Sequence, residues 1–156
     1  MWVWQWIKSS GSNFGEVTPT IFRSAQPASS NLRQYRDRYG IRSVMNLRED
    51  IGYESREQHE ALQLGLSFKN IPMSDCDKPR HGDIEQALAA LTFDPKWGWL
   101  VQCKGGRHRT GLVIACYRVR IQGWSKESAW KEAEEFGWYS AHGHAPLKRF
   151  FFEDFL

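Results

Sequence analysis

Cysteine is scarce in this chain. Only Cys76, Cys103 and Cys116 occur, an odd number with no repeated spacing, which argues against a disulfide framework and points to a reducing compartment or a free thiol. Long hydrophobic runs are missing too: no stretch approaches the ~20 apolar residues that a bilayer-spanning helix needs. There is no internal repeat, no low-complexity tract and no linker long enough to separate domains, so residues 1–156 are expected to form one domain around one core. Excess charge is small, +3 overall. No basic helix or reader motif accompanies it, so an anionic substrate is permitted while nucleic acid is not an expected partner. The opening Met1-Trp2-Val3-Trp4-Gln5-Trp6-Ile7-Lys8 is too short for the apolar region and cleavage site of a secretion signal. The expectation is a cytoplasmic monomer.

What is present is a globular composition, 41% hydrophobic and 25% charged, with eight Trp and nine Phe to fill a core. Trp2, Trp4 and Trp6 recur at every second position and would share one face of a strand. Residues 1–13 are therefore expected to form an N-terminal strand or cap, with a membrane-surface or partner contact as the alternative. Ser9-Ser10-Gly11-Ser12-Asn13 reads as a joint. Beyond it, strand and helix patterns alternate. Strands are expected at 20–24, 42–47, 66–71 and 97–102. Helices are expected from Ser30 or Asn31 (as cap) to Gly40, at 53–64, and at 83–91 behind an Asp83 cap; 110–122, 125–136 and 146–155 follow. Strands separated by helices imply an α/β fold, with a central, mainly parallel, four- to five-stranded sheet covered by helices on both faces. Ligands of such sheets bind beyond the C-terminal strand ends.

At one of those ends lies Val101-Gln102-Cys103-Lys104-Gly105-Gly106-Arg107-His108-Arg109-Thr110-Gly111, between an apolar strand and an apolar helix. Backbone N–H groups from Lys104 to Thr110, freed by Gly105 and Gly106 to point inward, can ring a phosphate-sized anion. The helix N-terminus near Thr110 adds partial positive charge. Arg109, six residues after the cysteine, offers a planar fork for two phosphate oxygens. Surroundings of this kind lower a thiol from ~8.5 to about 3.5–7.5, which would make Cys103 the attacking sulfur and yield a phosphocysteine. The Thr110 hydroxyl is placed to hydrogen-bond that sulfur. Lys104, Gly105, Gly106, Arg107 and His108 are the expected substrate-binding positions. Cys116, among Ile114, Ala115 and Val119, reads instead as a core thiol.

The leaving alcohol needs a proton from another loop. In Pro72-Met73-Ser74-Asp75-Cys76-Asp77-Lys78-Pro79, Asp75 is the first choice and Asp77 the second, against the reading that both only form the turn. Cys76 is either an ordinary loop thiol or a partner for Cys103. A metal site from Cys76, Cys103, His142 and His144 is the weakest option, since His142-Gly143-His144 has the wrong spacing for a shared helix face. No metal or cofactor is expected, and the two histidines are assigned to a surface loop at the pocket rim.

These residues resemble those of the cysteine-dependent phosphatase superfamily, the protein tyrosine and dual-specificity phosphatases, whose signature is His-Cys-x5-Arg-Ser/Thr. The resemblance covers 14–137. Ile21-Phe22-Arg23-Ser24-Ala25-Gln26-Pro27 is similar to the opening of small bacterial dual-specificity-like enzymes, and Val44-Met45-Asn46-Leu47-Arg48 to the strand that follows it. The loop from Cys103 to Gly111 resembles that of plant and fungal atypical dual-specificity phosphatases, a group with phytase-like relatives. The resemblance implies a dual-specificity phosphatase-like fold, Cys103 as nucleophile, Arg109 as clamp and an Asp of the preceding loop as acid. Pro72…Asp75…Pro79 resembles the acid loop of regenerating-liver-type phosphatases, which supports Asp75. Gln102 departs from the pattern by replacing the usual histidine; a Gln can still hydrogen-bond the backbone, so activity is expected.

Lys104, Arg107, His108 and Arg109 put a charge of about +3 in a loop with no acid. One phosphotyrosine needs only one phosphate neutralised, whereas a highly anionic inositol phosphate would use more; both substrate classes stand. Arg23, Arg48, Lys78, Arg80, Lys148 and Arg149 would either extend a basic rim or belong to ordinary solvated surface. The rival readings are a phosphate-binding pseudophosphatase and a sulfurtransferase, whose shorter loop would put Arg109 out of register.

Overall fold

The structure, a computed structural model, describes residues 12–49, 51–94 and 96–156, with the backbone alone at 51–55. The expected N-terminal tryptophan strand lies outside the described residues. The chain runs through β1 (Gly15–Thr18), β2 (Ile21–Ala25), α1 (Ser29–Tyr39), β3 (Ser43–Asn46), α2 (Ile51–Gln63), β4 (Ser67–Asn70) and α3 (Asp83–Phe93). Then come β5 (Trp99–Cys103), α4 (Arg109–Arg120), α5 (Lys126–Glu135), α6 (Ala145–Arg149) and a π-helical turn at Phe150–Asp154.

The strands form one sheet in the order β1-β2-β5-β3-β4. β2, β5, β3 and β4 are parallel, and β1 is an antiparallel hairpin arm on β2. Side chains alternate across the pleat. Ile21, Met45 and Val101 join a core with Ile84 and Leu88 of α3, Leu112 of α4, Trp130 of α5 and Phe151. Phe22, Val44 and Leu100 pack the other way, on Leu32 and Tyr35 of α1 and Ala61 of α2. Phe14 closes that second core by stacking on Tyr35 with ring centroids 4.4 Å apart. Helices therefore cover both faces. Ala25 is in register with Cys103 and Asn46 with Gln102, so three parallel strands end at one level and their outgoing loops share one rim.

Several boundaries differ from the sequence reading. Neither Ser30 nor Asn31 caps α1: the helix opens at Ser29, and extended Ala28 (φ −68°, ψ 160°) is the cap, which puts both residues in the first turn. Its end is as expected, with Gly40 left-handed at φ 71°. Asp83 does not cap α3. Gly82, left-handed at φ 90°, holds that position, and the Asp83 carboxylate turns back to accept the Arg80 amide at 3.0 Å. The fourth expected strand starts at Trp99 rather than Trp97. The last helix is two pieces, because beyond Arg149 the ladder widens to the π turn that Phe155 closes by donating to the Phe150 carbonyl at 2.9 Å. β1 was missed: its buried Gly15 and Val17 alternate with exposed Glu16 over too short a run to signal a strand.

Candidate active site

Cys103 ends β5, 2% exposed, and residues 104–108 loop over to the first turn of α4. The loop is moulded against the end of β2. Gly106 is left-handed at φ 67°, and a Cβ there would lie 2.6 Å from the Ala25 nitrogen and the Ser24 carbonyl carbon. Only glycine fits both demands. Three donors draw the loop's carbonyls to the outside. Asn13 Nδ2 gives one proton to the Phe136 oxygen at 2.8 Å and shares the other between the Gly105 and Gly106 oxygens, each at 3.2 Å. Arg23 Nη2 donates to the Gly106 oxygen at 3.1 Å, and the Gln26 amide to the Lys104 oxygen at 3.3 Å. In a trans peptide the N–H opposes the C=O, so these bonds turn the amides of Gly105, Gly106 and Arg107 the other way. Among the described residues the amides of 104–108 donate to no protein acceptor. Amides turned inward together beside the N-terminus of α4 suit an anion as their acceptor.

Arg109 is largely buried and donates through Nη1 to the Met73 carbonyl at 3.2 Å, while its Nε has no protein partner among the described residues. The buried Thr110 hydroxyl is likewise unpartnered there, at a cost of about 1–3 kcal/mol unless the thiolate or a ligand engages it. Lys104 and Arg107 are exposed. His108 turns its ring away, into a cluster at the rim. Its Nε2 lies 3.1 Å from the Tyr139 carbonyl, and its ring stacks on His144 with centroids 3.5 Å apart. Burial, with His144 adding to it, pushes His108 down to about 4, so the ring is neutral and His108 offers the loop its backbone.

In the loop after β4, the Ser74 hydroxyl accepts the amides of Cys76 and Asp77, each at 3.1 Å. That turn separates the two candidate carboxylates: Asp75 is half-buried and Asp77 exposed. Asp75 is the one whose charge is felt by Arg109 and His144. Burial alone would raise its carboxyl, but the Cys76 thiol (S···O 3.2 Å), Arg109 and His144 hold it below the ordinary range. His144 Nδ1 lies 2.6 Å from the Asp75 carbonyl oxygen. His144 is thus a buried brace, whereas exposed His142 matches the surface-loop expectation. Burial raises the Cys116 thiol far above its usual range, as a core thiol requires.

Two arginines expected on the rim are buried beneath it. Arg48 donates to Gln26 Oε1 at 2.9 Å. Arg23, 1% exposed, lies 3.9 Å over the Phe136 ring, with Nε and Nη1 unpartnered among the described residues. Burial lowers Arg23 to about 10, with Glu132 and then Cys103 pulling the other way. The period-2 pattern of β2 carried this signal, because Arg23 shares a face with buried Ile21. Gln102 is fully buried and, contrary to expectation, neither end of its amide finds a partner among the described residues.

A strand ending in a buried cysteine, a glycine-bearing ring of amides and an arginine opening the next helix define an anion cradle with a thiol in it. The chain belongs to the tyrosine phosphatase family: the family model of that description matches residues 10–156. It is similar to the dual specificity protein phosphatase TpbA of Pseudomonas aeruginosa (strain UCBPP-PA14), 27% identical over 86% of this chain and 59% of that protein. It is similar also to the inositol diphosphatase SIW14 of Saccharomyces cerevisiae (strain ATCC 204508 / S288c), 27% identical over 83% of this chain and 47% of that one. The core catalytic domain of S. cerevisiae SIW14, solved with citrate, superposes with a TM-score of 0.76 at 25% identity, covering 89% of this chain and 83% of that chain. The chain spans 47–59% of these two curated relatives. No helix among the described residues is long and apolar enough to cross a membrane.

Proposed function

We propose that this protein is a cysteine-dependent phosphomonoesterase that works through a phosphocysteine intermediate. Cys103 attacks phosphorus while the amides of 104–108 and the Arg109 guanidinium hold the non-bridging oxygens, Lys104 and Arg107 supplying further positive charge at the mouth. Asp75 delivers the proton to the leaving oxygen, and the Thr110 hydroxyl stabilises the departing sulfur when water cleaves the intermediate. The observation that carries this reading is the loop itself, whose carbonyls are pinned outward and whose amides are left without protein acceptors above a buried cysteine. A single sheet and a family match over 10–156 support one phosphatase domain over 1–156. The free thiols of Cys76, Cys103 and Cys116 fit a reducing compartment such as the cytoplasm.

The substrate is a phosphoprotein or a highly anionic inositol phosphate. Exposed Lys104 and Arg107, with two arginines buried behind them, support the polyanion, and the likeness to TpbA supports a phosphoprotein. A pseudophosphatase is the second reading, favoured by the orphaned Gln102 amide next to the nucleophile. Turnover of p-nitrophenyl phosphate, abolished by Cys103→Ser, decides between them. A panel of phosphopeptides, inositol hexakisphosphate and phosphoinositides, run with Asp75→Asn and Asp77→Asn, then assigns substrate and acid. Loss of poor-leaving-group turnover in Asp77→Asn alone moves the acid to Asp77.

A further inference from the structure

Outside the anion cradle, three side chains of metal-ligand type converge. One ligand atom from each of Asp75, Cys76 and His144 lies within 4.8 Å of the others. They come from two segments far apart in sequence, joined by the 2.6 Å contact of His144 Nδ1 with the Asp75 carbonyl. Cys76 is free and exposed, and its Sγ sits 3.6 Å from where Gly143 would carry a Cβ, so the chain just before His144 packs on it. His144 is 6% exposed and held from behind by the stacked His108 ring at 3.5 Å and the edge of Tyr139 at 5.3 Å. The Nδ1 contact with the Asp75 carbonyl fixes the ring as outer-shell acceptors fix a metal-binding histidine, leaving Nε2 as the ligand atom.

We propose that Asp75, Cys76 and His144 form a binding site for a borderline-soft divalent cation of the zinc class, and that its occupation switches the enzyme off. Sulfur, nitrogen and carboxylate oxygen are the ligand types such ions accept, commonly three from protein with solvent in the fourth position. Cys76 Sγ and Asp75 Oδ1 are 3.2 Å apart, held by a thiol hydrogen bond; binding releases that proton to solvent and puts the metal where the proton was. The remaining adjustment is a small closure of the exposed loop toward His144. Neighbouring Asp77 adds negative charge and Arg109 opposes it. The inhibitory half of the proposal rests on Asp75 being the general acid: a carboxylate bound to metal cannot protonate a leaving group. The binding half does not depend on it.

The test separates the two. The chain carrying Cys103→Ser, which removes the competing nucleophile, is titrated with Co²⁺. A thiolate-to-cobalt absorption band saturates at one equivalent; adding Cys76→Ser abolishes it, adding His144→Gln weakens binding about tenfold or more, in the range typical of lost metal-site support, and Zn²⁺ displaces it. Absence of the band, or a band that survives Cys76→Ser, overturns the site. In the unsubstituted chain, Zn²⁺ suppresses hydrolysis of a poor-leaving-group ester more than that of p-nitrophenyl phosphate, and Cys76→Ser removes the difference. Equal suppression of both esters, untouched by Cys76→Ser, places the ion on Cys103 and overturns the switch. If cobalt binds as described while Asp75→Asn spares poor leaving groups, the acid assignment fails and the binding site stands.

Discussion

Consider replacing Arg23 by methionine, a side chain of similar length without charge. Arg23 is buried, and burial lowers its guanidinium to about 10. Holding the charge inside the folded protein therefore costs about 3 kcal/mol at neutral pH, at 1.36 kcal/mol per unit. A group whose folded value is depressed in this way destabilises the fold until the pH rises past it, so the full cost applies near pH 7. Against it stand one charge-assisted hydrogen bond to the Gly106 carbonyl, worth about 1.5–3 kcal/mol, and the cation–π contact with Phe136, worth about 0.5–2 kcal/mol. That oxygen keeps Asn13 Nδ2 as a second donor at 3.2 Å. Arg23→Met should therefore leave stability within about 2 kcal/mol of the parent, unlike the 3–5 kcal/mol lost when one partner of a buried ion pair is removed. Function should suffer more. Arg23 and Cys103 interact electrostatically, and the cation backs the oxygen side of the phosphate loop. Alkylation of Cys103 by iodoacetamide at pH 6 should slow about tenfold, and kcat/KM should fall at least as far. Urea denaturation with the alkylation rate checks both halves. A variant losing more than about 4 kcal/mol of stability while alkylating at the parent rate would falsify the account of Arg23 as a cation held for the site.

Three further outcomes are expected. Glu57 is buried, accepts from Asn46 Nδ2 at 2.7 Å, and is pushed by burial from 4.5 up to about 7; its folded value exceeds its unfolded one, so stability is full below about pH 4.5 and falls by up to about 3 kcal/mol as the pH climbs through 7. Urea midpoints at pH 5 and 7.5 should show that slope in the parent and a flatter one in Glu57→Gln. Gln102→Leu removes two orphaned amide atoms from the core and should leave stability unchanged or raise it by about 1 kcal/mol; a clear loss in thermal melting means the amide has a partner. Gly106→Ala must push on β2 from 2.6 Å at positive φ, costing about 1–3 kcal/mol and at least tenfold in kcat, and a fully active variant contradicts the moulded-loop geometry.

Local pattern reveals some of this molecule and misses the rest for physical reasons. The cysteine loop is legible because its chemistry is packed into consecutive residues between two apolar runs, and the parallel sheet because helices separate its strands. The groups that shape the loop were not legible. Asn13 reaches Gly105 across 92 positions, and Arg23 reaches Gly106 across 83. Nothing in the residues around Asn13 distinguishes it from a polar joint, and two strands must pair before Arg23 and Gly106 meet. His144 is similar: its two-residue spacing from His142 suggested a surface loop, yet it is stacked on His108 across the rim. The caps of α1 and α3 lie one to three residues before the expected ones because the backbone of Ala28 and Gly82, rather than a side-chain oxygen, sets where each helix turns.

The loop bearing Asp75 has its own foundations. It leans on the final stretch of chain, through the His144 ring on its backbone and through Lys78 Nζ to Asp154 at 3.7 Å, while the sulfur is seated on the central sheet. Asp75 and Cys103, the proton donor and nucleophile proposed above, thus ride on different supports, which touch through Arg109 on the Met73 carbonyl and through His108 stacked on His144. Altering the tail is therefore expected to change how fast alcohols depart, and through His144 on His108 it would reach the cysteine loop as well.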